Sequence, residues 1–234
     1  MAAPRTETAI ARIRDLILSG RLPAGSRLPP EHELAAQLGL SRNTAREAVR
    51  ALTTARVLDV RRGDGTYVTS LTPDLLLEGV GAAVELMRDD SVLEVLELRR
   101  YLEPAATAQA ASHIDAAGLE ALRATIRRMR EATDDEQFVA EDAGFHARVA
   151  EASGNGTMAA LLDGLSSRTL RARVWRGLIE GNSAPTTIEE HHAIYQALRA
   201  RDQLLAQASA LMHVNTSEVW LRAVLSGSVD SRPT

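Results

Sequence analysis

EHELAAQLGLSRNTAREAVRALTTARVLDVRRGDGTYV, residues 31–68, holds most of one small domain. At its centre, LSRNTAREAVRAL (40–52) sets Arg42, Arg46 and Arg50 four residues apart. Residues at i and i+4 lie above one another on a helix, so these arginines share a face. Ala45, Val49 and Leu52 mark another face, fit for a core, and Ser41 is a suitable N-cap. Upstream, Glu31–Leu38 reads as a second helix with Leu34, Ala35 and Leu38 apolar, stopped by Gly39. Downstream, two β-prone runs flank GDG (63–65), whose residues accept positive φ, so a hairpin is expected.

Working outward, TAIARIRDLILS (8–19) spaces Ile10, Ile13, Leu16 and Ile17 at helical intervals before Gly20. RLPAGSRLPPE carries three prolines and a glycine and reads as an extended, turn-rich connection. Helix, helix, tight turn, helix and hairpin make a winged helix-turn-helix. In that module the helix after the turn enters the major groove of DNA, and the hairpin reaches the neighbouring groove or backbone. Arginines on the outer face then have a reason, since arginine reads guanine bidentately or clamps phosphate. Arg61 and Arg62 make the wing basic as well.

The chain has 234 residues and a formal net charge of −4. That total hides a division: residues 1–72 hold 11 Arg against 7 Asp/Glu, and residues 73–234 hold 16 Arg against 24 Asp/Glu. A basic nucleic-acid reader joined to an acidic module fits this asymmetry. No cysteine is present, which excludes disulfides and thiolate metal sites. A hydrophobic content of 45% excludes a largely disordered chain. No run approaches 18 apolar residues, and MAAPRTETAIARIRDL lacks a signal-peptide core, so no membrane partner is expected and a cytoplasmic location is.

Thr72 and Pro73 suit the N-cap and first position of a helix that opens a new domain. Beyond them the pattern predicts helices over about 74–88, 91–112, 116–132, 135–153, 155–179, 187–200 and 202–225, an all-α bundle. The expected organisation is a DNA-binding domain over 1–72, an all-α effector-binding and dimerisation domain over 73–228, and a disordered tail at 229–234. The fold class is mostly α with a small β wing.

AGSRLPPEHELAAQLGLSRNTAREAVRALTTARVLDVRRGDGTYV (24–68) closely resembles the DNA-binding module of the GntR family of bacterial transcription regulators. Leu28-Pro29 before the second helix, Ser41-Arg42 opening the third, the Arg46-Glu47-Ala48 run and the Arg62-Gly63-Asp64-Gly65-Thr66 wing carry the resemblance. It implies that Arg42, Asn43, Thr44 and Arg46 contact bases and phosphates, with Gly63 at the wing tip approaching the minor groove. Arg50 and Arg62 join this set by their place on the basic face and wing. The chain departs from the pattern at Pro30-Glu31-His32, where relatives often have Ser-Glu-Arg. Neutral His32 supplies less attraction to phosphate than the arginine it replaces.

The remainder resembles the FadR-type C-terminal domain of that family, through ELRRYLEPAA (97–106), DAGFHARVAEASGN (142–155), HHAI (191–194) and His213. Many such domains bind a metal through one Asp and three His, and the matching positions here are Asp142, His146, His191 and His213. Asp142 and His146 stand at i and i+4, so carboxylate and imidazole converge on one point. Three imidazoles and a carboxylate suit a borderline divalent ion, Zn²⁺ first, with Ni²⁺ or Mn²⁺ as alternatives. His192 adjoins His191, but register with Ile194 favours His191. The resemblance also implies a small carboxylate effector whose oxygen meets the metal while Arg99 pairs with the acid. Trp175, Trp220 and Tyr195 read as packing residues, Tyr195 being the best placed of them to contact an effector. Asn155 reads as a helix cap.

The function expected is that of a ligand-responsive regulator, a repressor, which binds a near-palindromic double-stranded operator as a homodimer. One alternative makes the metal itself the signal. Another is a metal-dependent enzyme with Glu141 as a base, which the missing H-E-x-x-H arrangement disfavours, so no catalytic residue is expected.

Overall fold

The structure is a computed structural model that describes residues 5–87, 91–166 and 183–225. The chain divides into two compact units, Met1–Gly79 and Val80–Thr234. The tail 229–234, Trp175 and the end of the helix expected over 155–179 lie outside the described residues.

The first unit contains α1 (Arg5–Leu18), α2 (Glu31–Leu38), α3 (Arg42–Thr54), β1 (Leu58–Arg61), β2 (Gly65–Val68) and the short α4 (Pro73–Leu76). Gly39 sits at φ 63°, the left-handed value that ends α2, and its amide reaches the carbonyls of Ala35 and Ala36. Ser41 then caps α3: its side chain accepts from the Thr44 amide at 3.1 Å. Ile13, Leu34, Leu38, Val49, Leu52 and Leu58 close into one core. Burial of each such side chain contributes about 1.5–3 kcal/mol.

β1 and β2 pair antiparallel, from Leu58 opposite Val68 at the buried base to Arg61 opposite Gly65 near the tip. Gly63 turns the tip at φ 75°. A side chain at Gly65 would collide with the Arg27 guanidinium, whose Nε lies 2.6 Å from where a Cβ would stand. Arg27 also donates to the Asp64 carbonyl, so it braces the wing from the preceding connection.

The second unit is all helical in its described residues: α5 (Glu78–Glu85, crossing the boundary), α6 (Val92–His113), α7 (Ala116–Glu131), α8 (Asp135–Ala152), α9 (helical over 156–166), α10 (Ser183–Ala200) and α11 (Gln203–Leu225). Helix α6 packs on α11, α8 and α10, and α7 packs on α8 and α10. Asp115, Asp134 and Asn155 cap α7, α8 and α9 by accepting the amides of Gly118, Gln137 and Met158. The apolar centre includes Leu122, Ile126, Phe145, Ile194 and Leu198.

Two boundaries differ from expectation. The helix expected over 74–88 is broken at Leu77 into α4 and α5. Gly79 and Gly81 weaken helix propensity there, and α9 packs closely on α5 at Gly164, where a Cβ would stand 3.1 Å from Val80 Cβ. Helix α10 begins at Ser183 rather than 187, because Pro185 falls in its first turn, where the missing N–H costs no helical bond.

Ser41→Ala removes the α3 cap, and we expect a loss of about 1 kcal/mol of stability. Ser41→Asn should recover most of it. Urea unfolding of the full chain, followed for the first unit, is the check.

Candidate functional site

In the first unit, α3 presents Arg42, Asn43, Arg46 and Arg50 to solvent while Ala45, Ala48, Val49 and Leu52 are buried. The side chains are pre-ordered along the helix: Arg46 donates to Asn43 Oδ1 at 2.9 Å, and Arg50 pairs with Glu47 at 3.2 Å. Thr44 is half-buried at the cap, its hydroxyl 2.8 Å from that of Ser41. Arg62 and Gly63 are exposed at the wing tip. Arg61, not counted among the candidates, lies over the Tyr67 ring at 4.1 Å. The Tyr67 hydroxyl donates to Asp64, which raises its pKa. His32 is exposed and 3.7 Å from Glu33.

In the second unit, α8 supplies Asp142 and His146, α10 supplies His191, and α11 supplies His213. One ligand atom from each lies within 4.8 Å of all the others. The Nε2 of His146 is 3.1 Å from that of His213 and 3.3 Å from that of His191, while Asp142 Oδ1 is 3.4 Å from His191 Nε2 and 3.9 Å from His146 Nε2. Ligands bonded at about 2.1 Å to one tetrahedral ion stand about 3.4 Å apart. His191 is fully buried, and Asp142 and His213 are nearly so.

The outer nitrogens explain why the Nε2 atoms face inward. His213 Nδ1 lies 2.7 Å from Glu190 Oε2, and His146 Nδ1 lies 3.1 Å from Glu103 Oε2. A carboxylate only accepts, so it favours a proton on each Nδ1, the tautomer in which Nε2 can bind a metal. His191 Nδ1 faces the weak acceptor Met129 Sδ at 3.4 Å, and its ring stacks on Phe145. Four potential ligand atoms, three nitrogens and one oxygen, thus gather in one buried space. The donor set therefore fits a divalent metal, with Asp142, His146, His191 and His213 as its ligands.

Other expected roles are differently placed. Arg99 is buried, and its Nε and Nη2 both meet Glu103 Oε1. It is thus tied through Glu103 to His146, one of the four clustered residues. Tyr195 is half-buried against the apolar centre, with its ring near His192, and the described contacts do not bring it to the four-residue cluster. Glu141 points to α7, where Arg128 donates to it at 2.7 Å and lowers its pKa, which is a poor setting for a base. Glu103 and Glu190 were not anticipated. The i,i+4 spacing of Arg99 and Glu103, and the adjacency of Glu190 to His191, are the only traces of them in the sequence.

A winged helix-turn-helix with a basic reading helix, followed by a helical domain built around a polar centre, is the architecture of a DNA-binding regulator. The family description "Bacterial regulatory proteins, gntR family" matches residues 5–68, and "FCD domain" matches residues 94–216. The HTH-type transcriptional regulator LutR of Bacillus subtilis is 30% identical over 218 residues, covering 91% of this chain and 97% of that protein. The galactonate operon transcriptional repressor of Escherichia coli is 27% identical over 234 residues, covering 96% of this chain and 100% of that protein. A solved Streptococcus agalactiae GntR structure superposes with a TM-score of 0.67 at 30% identity, covering 92% of this chain and 99% of that one. The chain belongs to the GntR family of bacterial transcription regulators, in the FadR-type subgroup with an FCD C-terminal domain. The family description and both curated relatives are named for the regulation of transcription.

Two predictions follow from the geometry. Arg42→Ala with Arg46→Ala should lower the slope of log K against log salt for duplex DNA by about two, one per lost phosphate contact; a filter-binding salt titration measures it. Asp142→Asn should weaken Zn²⁺ binding at least tenfold, whereas Glu141→Gln, one residue away, should leave it within twofold. Titration calorimetry with a competing chelator distinguishes them.

Proposed function

We propose that this regulator is a homodimeric, cytoplasmic repressor whose grip on a near-palindromic operator is set by a small carboxylate bound at a divalent metal in the second unit. The observation that carries this reading is the buried convergence of three Nε2 atoms and one carboxylate oxygen, with carboxylates placed at the Nδ1 atoms of His146 and His213. Zn²⁺ suits three imidazoles and one carboxylate, and Ni²⁺ or Mn²⁺ are the alternatives. Such an ion supplies a Lewis-acidic centre that an oxygen ligand can join.

The chain's own residues do the rest. Asp142, His146, His191 and His213 hold the ion, and the fixed Nδ1 protons keep their rings aimed. Arg99 brings a positive charge beside the site, held by Glu103, and an acid arriving there shares that charge. One relative is named for the galactonate operon, and galactonate is a hydroxy acid whose carboxylate and hydroxyl oxygens suit a metal. Hydroxy acids are therefore the first effector class to try. On DNA, the face formed by Arg42, Asn43, Arg46 and Arg50 enters the major groove with Thr44 at its leading end, while Arg62 and Gly63 reach the adjacent groove. Repression matches the repressor named among the relatives. A two-fold dimer reads two half-sites.

The test is a thermal-shift screen of the full chain with hydroxy acids and sugar acids, with zinc loaded or chelated. A ligand that binds only the folded chain raises its melting temperature by mass action. The reading expects one acid to shift the zinc-loaded protein, to lose its effect after chelation, and to release the chain from its operator in a mobility assay. Operator release by zinc alone would favour the metal as signal. A melting temperature indifferent to both acid and chelator would sink the proposal.

A further inference from the structure

Beside the four candidate ligands, Glu190 makes a contact pattern that the ligand set alone does not require. It stands immediately before His191 on α10, and successive helical residues point about 100° apart. His191 therefore faces the centre while Glu190 reaches across to α11. There Glu190 Oε2 accepts from His213 Nδ1 at 2.7 Å, and Oε1 accepts from the Thr216 hydroxyl at 2.7 Å. His213 and Thr216 are three residues apart and share one face of α11. One carboxylate thus holds two points of α11 with its two oxygens.

We infer that Glu190, steadied by Thr216, is a positioning residue that fixes the tautomer and ring orientation of His213 and thereby sets the chain's affinity for a divalent metal. The inference rests on the metal reading above and assigns Glu190 no direct bond to the ion. Its chemistry is that of a carboxylate–imidazole pair. With its proton held on Nδ1, His213 keeps the Nε2 lone pair toward His146 Nε2, 3.1 Å away. The nearby negative charge makes that nitrogen a better donor. Without Glu190, the ring is free to carry its proton on Nε2, where it opposes a cation.

Thr216 matters because it holds the second oxygen. Its hydroxyl also lies 3.0 Å from the Met212 carbonyl, which it can meet while staying on α11. Losing the threonine hydroxyl leaves the Glu190 charge in place but releases its orientation, so its effect is smaller than that of losing the charge. The same carboxylate couples α10 to α11 at the site, so both helices carry a ligand whose aim depends on their mutual register.

The experiment uses the full chain and Zn²⁺. Glu190→Gln should raise the zinc Kd by 10- to 100-fold, the range expected when an outer partner of a ligating histidine is lost. Thr216→Val should raise it less, and Thr216→Ser should restore it. The melting temperature of the chelated protein is read beside these values, since a merely structural role would lower it without changing zinc affinity. In the chelated wild type, ¹⁵N–¹H correlation of the imidazoles should show His213 protonated on Nδ1, and Glu190→Gln should shift it toward a mixture of tautomers. Zinc affinity within twofold of wild type in Glu190→Gln, or a His213 proton on Nε2 in the wild type, would overturn the inference and leave the metal reading intact. A wild-type chain that binds neither Zn²⁺, Ni²⁺ nor Mn²⁺ would overturn both.

Discussion

Three imidazoles and a carboxylate packed within a few ångströms of one another, away from water, are the constraint on which the second unit depends. Burying polar groups without partners is costly, and burying like-oriented lone pairs against each other is worse. The chain meets this by giving the outer nitrogens of His146 and His213 carboxylate acceptors, Glu103 and Glu190. That arrangement leaves three Nε2 atoms and an Asp142 oxygen together at the centre, a donor set that suits a divalent cation. The surrounding core, with Phe145 stacked on His191 and Leu122, Ile126 and Leu198 packed nearby, keeps the rings from turning away.

The first unit follows a different logic, in which order is local. Gly39, Ser41 and the apolar face of α3 determine a helix whose outer surface is free to be basic. Every determinant lies within a few residues of what it controls, so the module was legible in nearly every element. The span of α2, the Ser41 cap on α3 and the presence of a hairpin at GDG all follow from short-range rules. What escaped was the brace: Arg27 reaching the wing at Asp64, and Arg61 on Tyr67, join residues that no periodicity connects.

The same distinction explains the second unit. Asp142 and His146 share a helical face, so their convergence could be read directly, while His191 and His213 entered by resemblance. Capping by Asn155 was legible because a cap lies next to the amide it serves. The Arg99 pairing was only half legible. Its i,i+4 glutamate was in view, yet what decides its role is that Glu103 has a second oxygen occupied by His146 from another helix. Glu190 and Thr216 were invisible for the same reason, since they meet across α10 and α11. The single helix expected over 74–88 broke at Leu77, just before Gly79 and Gly81, whose weak helix propensity the apolar spacing hides.

Charge around the centre adds one further step. Among the described residues, Asp142, Glu103 and Glu190 bring three carboxylates to the cluster, and Arg99 brings one guanidinium. With neutral imidazoles these described groups sum to two negative charges, to which a divalent ion is complementary. An acid that joined the ion would add a negative charge to a buried, low-dielectric site. It would bind best to whatever packing brings Arg99 closer to it and loosens the claim of Glu103. An effector acts only through such a difference in affinity between two arrangements. Because Glu103 also holds His146, that difference would be transmitted to α8 at the site itself, so the acid and the metal would be linked through one shared carboxylate.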